Sequence, residues 1–443
     1  MSLTALWTRP ARQLDREIFA LAVPAFATLV SEPALLLADS AIIGHLGTTQ
    51  LAGLGVAGNL IGVVTGLSIF LAYGTTGTVA RRLGAGDLRG ALTGGIDGMI
   101  LAVVLGVLLC CLLQVMLPIV IGWYGVGPDV ARAADAYLRI ALCGLPSLLL
   151  VLASTGVLRG LQDTRTPLVV AISCNVINIG LNVGLVYGLG MGIAGSATGS
   201  LLAQTACAVF LSLVVIKGAR RNGAVPRFRP RGVLTAARAG FWLMLRTASL
   251  QISITVTTGV AAGMGAVALA THQVTNSLWS MLVFALDAIA IAAQAVIGRY
   301  LGAGDTPMVR RLTRRMIGWG VLAGVVFGLL VALGRPLYDQ LFSPDPAVQQ
   351  LLQQVLLVLA CTTPVAGIVF VLDGVLIGAG DGRYLALAGL IAMLAYFPLA
   401  LLVHGSGAGL VWLWAAYGGY ILARLVTLAV RARSTAWMQT GVQ

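Results

Sequence analysis

Twelve separate runs of apolar residues, each long enough to cross a lipid bilayer, constrain this chain more than any other feature. A helix needs about 20 such residues to span the hydrocarbon core. The runs fall at 17–43, 51–80, 90–117, 134–158, 166–188, 192–217, 237–262, 267–297, 313–334, 350–379, 384–403 and 409–430. Of the 443 residues, 58% are hydrophobic and 10% charged, against about 25% charged in an ordinary soluble domain. That balance excludes a soluble enzyme, a disordered chain and a secreted disulfide scaffold, and it leaves an all-α polytopic membrane protein. Several runs exceed the minimum, so tilts or kinks are expected. Pro24, Pro33, Pro146 and Pro364 stand where kinks would fall.

The net charge of +13 reads as membrane topology rather than nucleic-acid binding, because no basic stripe alternates with aromatics. The cations, all Arg except Lys217, gather in short loops: Arg9, Arg12 and Arg16 before run 1, Arg81, Arg82 and Arg89 after run 2, Arg159 and Arg165 after run 4. Residues Lys217 to Arg238 form the longest basic linker, and Arg424, Arg431 and Arg433 close the chain. With twelve spans these loops share one side, while Arg132 and Arg335 lie opposite. The positive-inside rule then puts both termini in the cytoplasm, with the chain multi-pass in the cell (inner) membrane. No small-residue cleavage site follows the basic N-terminal stretch, so a removed signal peptide is not expected. Six cysteines fall inside apolar runs without disulfide or zinc spacing and read as small buried hydrophobes.

The chain is internally duplicated. Arg81-Arg82-Leu83-Gly84-Ala85-Gly86-Asp87 returns as Arg299-Tyr300-Leu301-Gly302-Ala303-Gly304-Asp305, an offset of 218 residues. The same shift maps Pro118 onto Pro336, Cys143 onto Cys361, Pro146 onto Pro364, Gly156 onto Gly374, Gly160 onto Gly378, Asp163 onto Asp381 and Arg165 onto Arg383. One ungapped shift matching so many places divides the chain into an N-lobe (1–217, helices 1–6), a basic cytoplasmic linker (218–236) and a C-lobe (237–443, helices 7–12). Six is even, so the two homologous six-helix lobes form a parallel repeat with a central cleft, the architecture of a secondary transporter. No phosphate-binding loop of the GxxxxGK[ST] type is present. The glycines of the repeated LGAGD suit helix C-caps, and Asp87 and Asp305 suit N-caps of the following helices.

An ionisable group at a helix centre costs about 2.5–3.5 kcal/mol on insertion scales, so each one needs a reason. Glu32, Asp39, Asp287 and Asp373 lie well inside runs; Asp97 lies nearer the start of run 3. Glu32 and Asp39 are two turns apart and share a face. A carboxylate in such a cavity can bind a proton or sodium, or pair with a cationic substrate. Asn175, Asn178 and Asn182 make a polar stripe on run 5, which either holds helices together or lines a wet cavity around Asp39. Thr198 and Ser200 on run 6 could add oxygen ligands. On run 8, Asn276, Ser280, Asp287 and Gln294 share one face, read as the second half's cavity lining, with Asp373 on run 10 as its other acid. His45, His272 and His404 are isolated, and no HExxH, GxSxG or Cys/His cluster appears, so neither an enzyme nor a resident metal or cofactor is expected.

Glu32-Pro33 through Ala38-Asp39-Ser40 to Gly44-His45-Leu46-Gly47, the two LGAGD loops, Thr271-His272-Gln273, and Leu158-Arg159-Gly160-Leu161-Gln162-Asp163-Thr164-Arg165 occur in an order and spacing that span nearly the whole chain. In these the chain resembles the multidrug and toxic compound extrusion (MATE) transporters, within them the DinF-like branch. The resemblance implies an antiporter that uses inward protons or sodium to expel organic, often cationic, compounds, hence multidrug or xenobiotic export. It implies Asp39 as the coupling-ion residue and Asn178 as its partner. The position four residues on is Asp in that branch and Asn182 here, an oxygen ligand or hydrogen-bonding group without a second charge. That departure favours a proton over a two-carboxylate sodium site at Asp39. The expected partners are small organic cations and membrane lipid, with no nucleic acid and a monomeric state. The alternative is a flippase of lipid-linked precursors with the same superfamily shape. Its pyrophosphate headgroup would call for many cavity cations, whereas only Arg139 and Arg246 lie near helices outside the loops.

Overall fold

The computed structural model describes residues 11–224, 227–342 and 344–441, so Arg9 lies outside the described residues. Among them there is no β-strand; the chain forms helices throughout. In chain order these are α1 (Ala11–Gly44), α2 (Thr48–Gly84), α3 (Leu88–Trp123), α4 (Pro128–Gly160), α5 (Arg165–Gly188), α6 (Gly192–Arg221), α7 (Pro230–Gly263), α8 (Ala266–Gly302), α9 (Thr306–Phe342), α10 (Pro346–Gly378), α11 (Gly382–Ser406) and α12 (Leu410–Arg433). All but α7 meet the length and hydropathy of a membrane span by themselves. Helix α7 carries Arg231, Arg238, Arg246 and a run of Ser and Thr. This is a multi-pass membrane protein.

The duplication is visible in the helix starts. Thr48 and Ala266, Leu88 and Thr306, Pro128 and Pro346, and Gly192 and Leu410 are each 218 residues apart. The LGAGD turns end helices with Gly86 at φ +80° and Gly304 at φ +78°, a conformation that L side chains resist. The next helices are capped by Asp87, accepting from Gly90 N–H (2.7 Å), and Asp305, accepting from Met308 N–H (3.0 Å).

The chain gathers into two compact units. One is Ala27–Gly240; the other joins the segment ending at Phe26 to the chain from Phe241 onward. The first part of α1 therefore belongs with the second unit and the first part of α7 with the first, a division the sequence split at 217 and 237 did not anticipate. The link between α6 and α7 is also shorter than 218–236. Lys217, Arg220 and Arg221 continue α6, where cations suit a helix C-terminus, and Pro230 starts α7, where its missing N–H costs nothing.

Close helix packing inside each unit repeats at the same offset. A Cβ on Gly156 of α4 would lie 2.4 Å from the Ala72 carbonyl of α2; on Gly374 of α10 it would lie 2.3 Å from the Ala290 carbonyl of α8. A Cβ on Gly106 would meet Pro146 at 2.4 Å, and on Gly324 it would meet Pro364 at 2.7 Å. Without a hydrophobic drive between helices in lipid, such small residues let backbones touch and dispersion hold them. Helix α4 tightens to 3-10 geometry over Leu142–Gly144, where Pro146 has no N–H to give Leu142. Helix α5 closes in a π-turn, Gly184–Gly188, which begins two residues after Asn182.

Candidate functional site

In the Ala27–Gly240 unit, Asp39 sits one turn before the buried Ile43 of α1, and its side chain is buried. Its hydrogen-bond partner is the amide of Asn182 on α5: Nδ2 donates to Asp39 Oδ1 at 2.6 Å. The same Nδ2 donates to Asn178 Oδ1 at 2.9 Å, and Asn178 Nδ2 donates to Ser200 Oγ of α6 at 3.0 Å. Asn182 is thus the donor at the centre: it donates to the Asp39 carboxylate on one side and, through Asn178, a line of amide donors runs the other way to Ser200. Positions 178 and 182 are one helical turn apart, which is why both amides reach the same spot. No cation pairs with Asp39 among the described residues. Tyr137 of α4 is buried in the same unit, in one cluster with Ile43 of α1. Sequence reasoning missed Tyr137, since no spacing on α4 marks it and only tertiary packing brings it to α1.

The other polar residues of this unit go elsewhere. Glu32 is exposed on α1. Asn175 Nδ2 donates to the Ser31 carbonyl at 2.9 Å, tying α5 to the α1 backbone. Thr198 Oγ1 donates to the Ala194 carbonyl of its own helix at 2.8 Å.

In the second unit Asp373 of α10 is buried between two guanidinium groups. Arg246 Nη2 of α7 reaches its Oδ2 at 2.8 Å, and Arg424 Nη2 of α12 bonds the same oxygen. Arg424, grouped by sequence with the terminal cations, is buried inside α12 instead. Arg139 pairs with Asp135 on its own helix at 2.7 Å. The α8 stripe supplies none of the hydrogen bonds to Asp373. Asn276 and Ser280 are half-buried, with Ser280 Oγ donating to the Asn276 carbonyl at 2.9 Å. Asp287 is half-buried, and Gln294 is buried where Gly378 packs against its carbonyl. Beside Asp373 stands an aromatic group: Tyr396, Tyr417 and Tyr420 have ring centroids 5.4–6.0 Å apart, and Thr257 Oγ1 and the Tyr396 hydroxyl are 2.6 Å apart.

A family model, MatE, matches residues 24–183 and again 243–402, one copy for each half. The chain belongs to the MatE family. Members of the family are multidrug and toxin extrusion transporters, not enzymes. This MatE protein is 27% identical to DNA damage-inducible protein F of Escherichia coli over 95% of this chain and 91% of that one. It is 24% identical to a probable multidrug resistance protein NorM of Thermotoga maritima over 76% and 74%. The crystal structure of a MATE transporter from Vibrio cholerae superposes with a TM-score of 0.87 at 21% identity, covering 96% of this chain and 99% of that one. The shared fold is thus the twelve-helix, two-lobed MATE architecture. Substrates of such a transporter are small molecules.

Proposed function

We propose that this MatE protein is a proton-driven antiporter that exports organic cations across the inner membrane, with both termini cytoplasmic. The observation that carries the reading is the partner set of Asp39, a buried carboxylate bonded by a neutral amide rather than by a cation. An acid so placed can exchange a proton with little rearrangement, whereas one paired with arginine is held ionised. The amide presents its N–H side to Asp39, a geometry that supports a proton more than a sodium ion, which needs oxygens facing it. Proton uptake removes the negative charge that attracts a cation, so proton and substrate compete for Asp39, and competition is the physical basis of antiport. Glu32, on the same face of α1, adds to the negative field that favours cations. The arginine-rich loops support cytoplasmic termini, and relatives named for multidrug resistance support organic substrates.

The test uses purified protein in proteoliposomes with an imposed pH gradient and ethidium as substrate. Asp39→Asn is expected to abolish gradient-driven efflux at unchanged protein level and unfolding temperature, and a sodium gradient alone should drive none. Competition by cationic and anionic analogues of one scaffold should favour the cation. Wild-type efflux from Asp39→Asn would sink the reading.

A further inference from the structure

Asn182 spends both amide hydrogens. One goes to Asp39 Oδ1 and one to Asn178 Oδ1, at 2.6 and 2.9 Å. With both acceptors on the nitrogen side, the carbonyl oxygen must point away. It points at α6, is buried, and has no hydrogen-bond partner. What it meets is Gly199. A Cβ at that glycine would lie 2.1 Å from Asn182 Oδ1 and 3.2 Å from its Cγ. Only an α-hydrogen fits there. Gly199 is buried in mid-helix and does not adopt the left-handed backbone that would require glycine. In such a position glycine costs about 1 kcal/mol relative to alanine, so conformational need does not explain it.

The repeat supplies an independent check. At the offset of 218, Gly199 corresponds to Tyr417 and Asn182 to Ala400. Where the amide is absent, a full aromatic ring stands at the position of the notch, and Tyr417 is buried against Tyr396 and Tyr420. The severe clash at 199 is thus with the Asn182 side-chain oxygen at 2.1 Å; the Asn182 backbone nitrogen, at 3.2 Å, is crowded far less.

We propose that Gly199 is a positioning residue for proton coupling, a notch in α6 that holds the Asn182 carboxamide with its N–H side toward Asp39. A methyl group at 199 cannot be met by turning the amide over, because the oxygen would then face two acceptors. Asn182 must instead withdraw, and Asp39 loses its donor. This inference rests on the proton-coupling reading given above.

The experiment is a double-mutant cycle read as the pH profile of ethidium efflux in proteoliposomes, with unfolding temperature in detergent as a second readout. A carboxylate that loses an N–H donor keeps its proton to higher pH. Gly199→Ala and Asn182→Ala are each expected to move the profile toward alkaline pH by roughly one unit, a tenfold change in proton affinity. The double variant should match Asn182→Ala alone, because the colliding oxygen is gone. An unmoved profile in Gly199→Ala, or shifts that add in the double variant, overturns the proposal. If Gly199→Ala does not reach the membrane, the double variant should; its absence too would overturn the proposal. If Asn182→Ala itself leaves the profile unmoved, the proton-coupling reading fails and this inference with it. If Asn182→Ala moves it and Gly199→Ala does not, Gly199 alone fails.

Discussion

Asp39 and Asp373 are both buried acids of membrane helices, one in each half, and their surroundings are opposite. Asp39 faces an amide; Asp373 faces two guanidinium groups. The 218-residue repeat shows that neither cluster is duplicated. The counterpart of Asp39 is Thr257 and that of Asn178 is Tyr396, and these two share a 2.6 Å hydrogen bond among aromatic rings. The counterpart of Asp373 is Thr155, which is also neutral. Each half keeps one charged cluster and has a hydroxyl where the other half has its acid. An acid with a neutral partner can change charge during a transport cycle. An acid between two arginines stays beside two fixed positive charges, because guanidinium does not release its proton. Identical scaffolds thus hold one acid suited to exchange and one suited to architecture.

The largest effect that could break this comparison is expected from Asp373→Asn. It leaves two buried guanidinium groups without their counter-charge, a situation that costs ~3–5 kcal/mol when one partner of a buried ion pair is removed. We expect a large drop in unfolding temperature in detergent and little protein in the membrane. Asp39→Asn, which leaves no orphaned charge, should melt close to wild type while losing transport. Equal unfolding temperatures for the two variants would erase the distinction between the clusters.

A smaller effect sharpens the same comparison. Asn182→Asp puts a second carboxylate against Asp39, and like charges so close share a proton rather than both ionising. The pH profile of efflux should shift, or sodium should begin to drive transport, with the fold intact. If neither the pH profile nor the sodium response changes, position 182 acts only in packing.

Much of this was legible in the sequence, and the reasons are specific. Helix number followed from apolar run length, and the repeat from Arg81–Asp87 and its copy, because both are one-dimensional signals. The cluster of Asp39, Asn178 and Asn182 was legible because the two amides are a turn apart on one helix and the family resemblance pairs them with the acid on another. Tyr137 and Gly199 left no such trace, since their roles exist only where α4 and α6 meet α1 and α5. Arg424 misled for a related reason: it lies inside run 12 but groups with Arg431 and Arg433 along the chain, and only the packing of α10 against α12 shows it buried. The domain edges differed because apolar runs mark where a helix crosses lipid, not which neighbours its first turns touch.

The smallest expected effect lies at the arginine-rich ends of the helices, where two repeat counterparts each sit in an ion pair but carry opposite charge. Asp97 of α3 and Arg315 of α9 are repeat counterparts of opposite charge. Asp97 receives Arg229 at 2.6 Å, and Arg315 reaches Asp15 at 2.6 and 2.8 Å, with Trp319 Nε1 donating to the same carboxylate at 2.8 Å. Each therefore holds the stretch of chain that opens the other half's first helix. The two arginine side chains are 47% and 44% exposed, so water screens both pairs and each is worth under about 1 kcal/mol. At such a site the existence of a pair should matter and its direction should not. Arg315→Asp alone sets two acids face to face and should lower the unfolding temperature slightly, an effect that fades in high salt. Adding Asp15→Arg gives this pair the polarity of its counterpart and should restore most of the loss. If the swapped pair is as unstable as the sum of its single variants, then direction matters at the rim. The two halves would then differ in sign for a reason other than the screened attraction between these side chains.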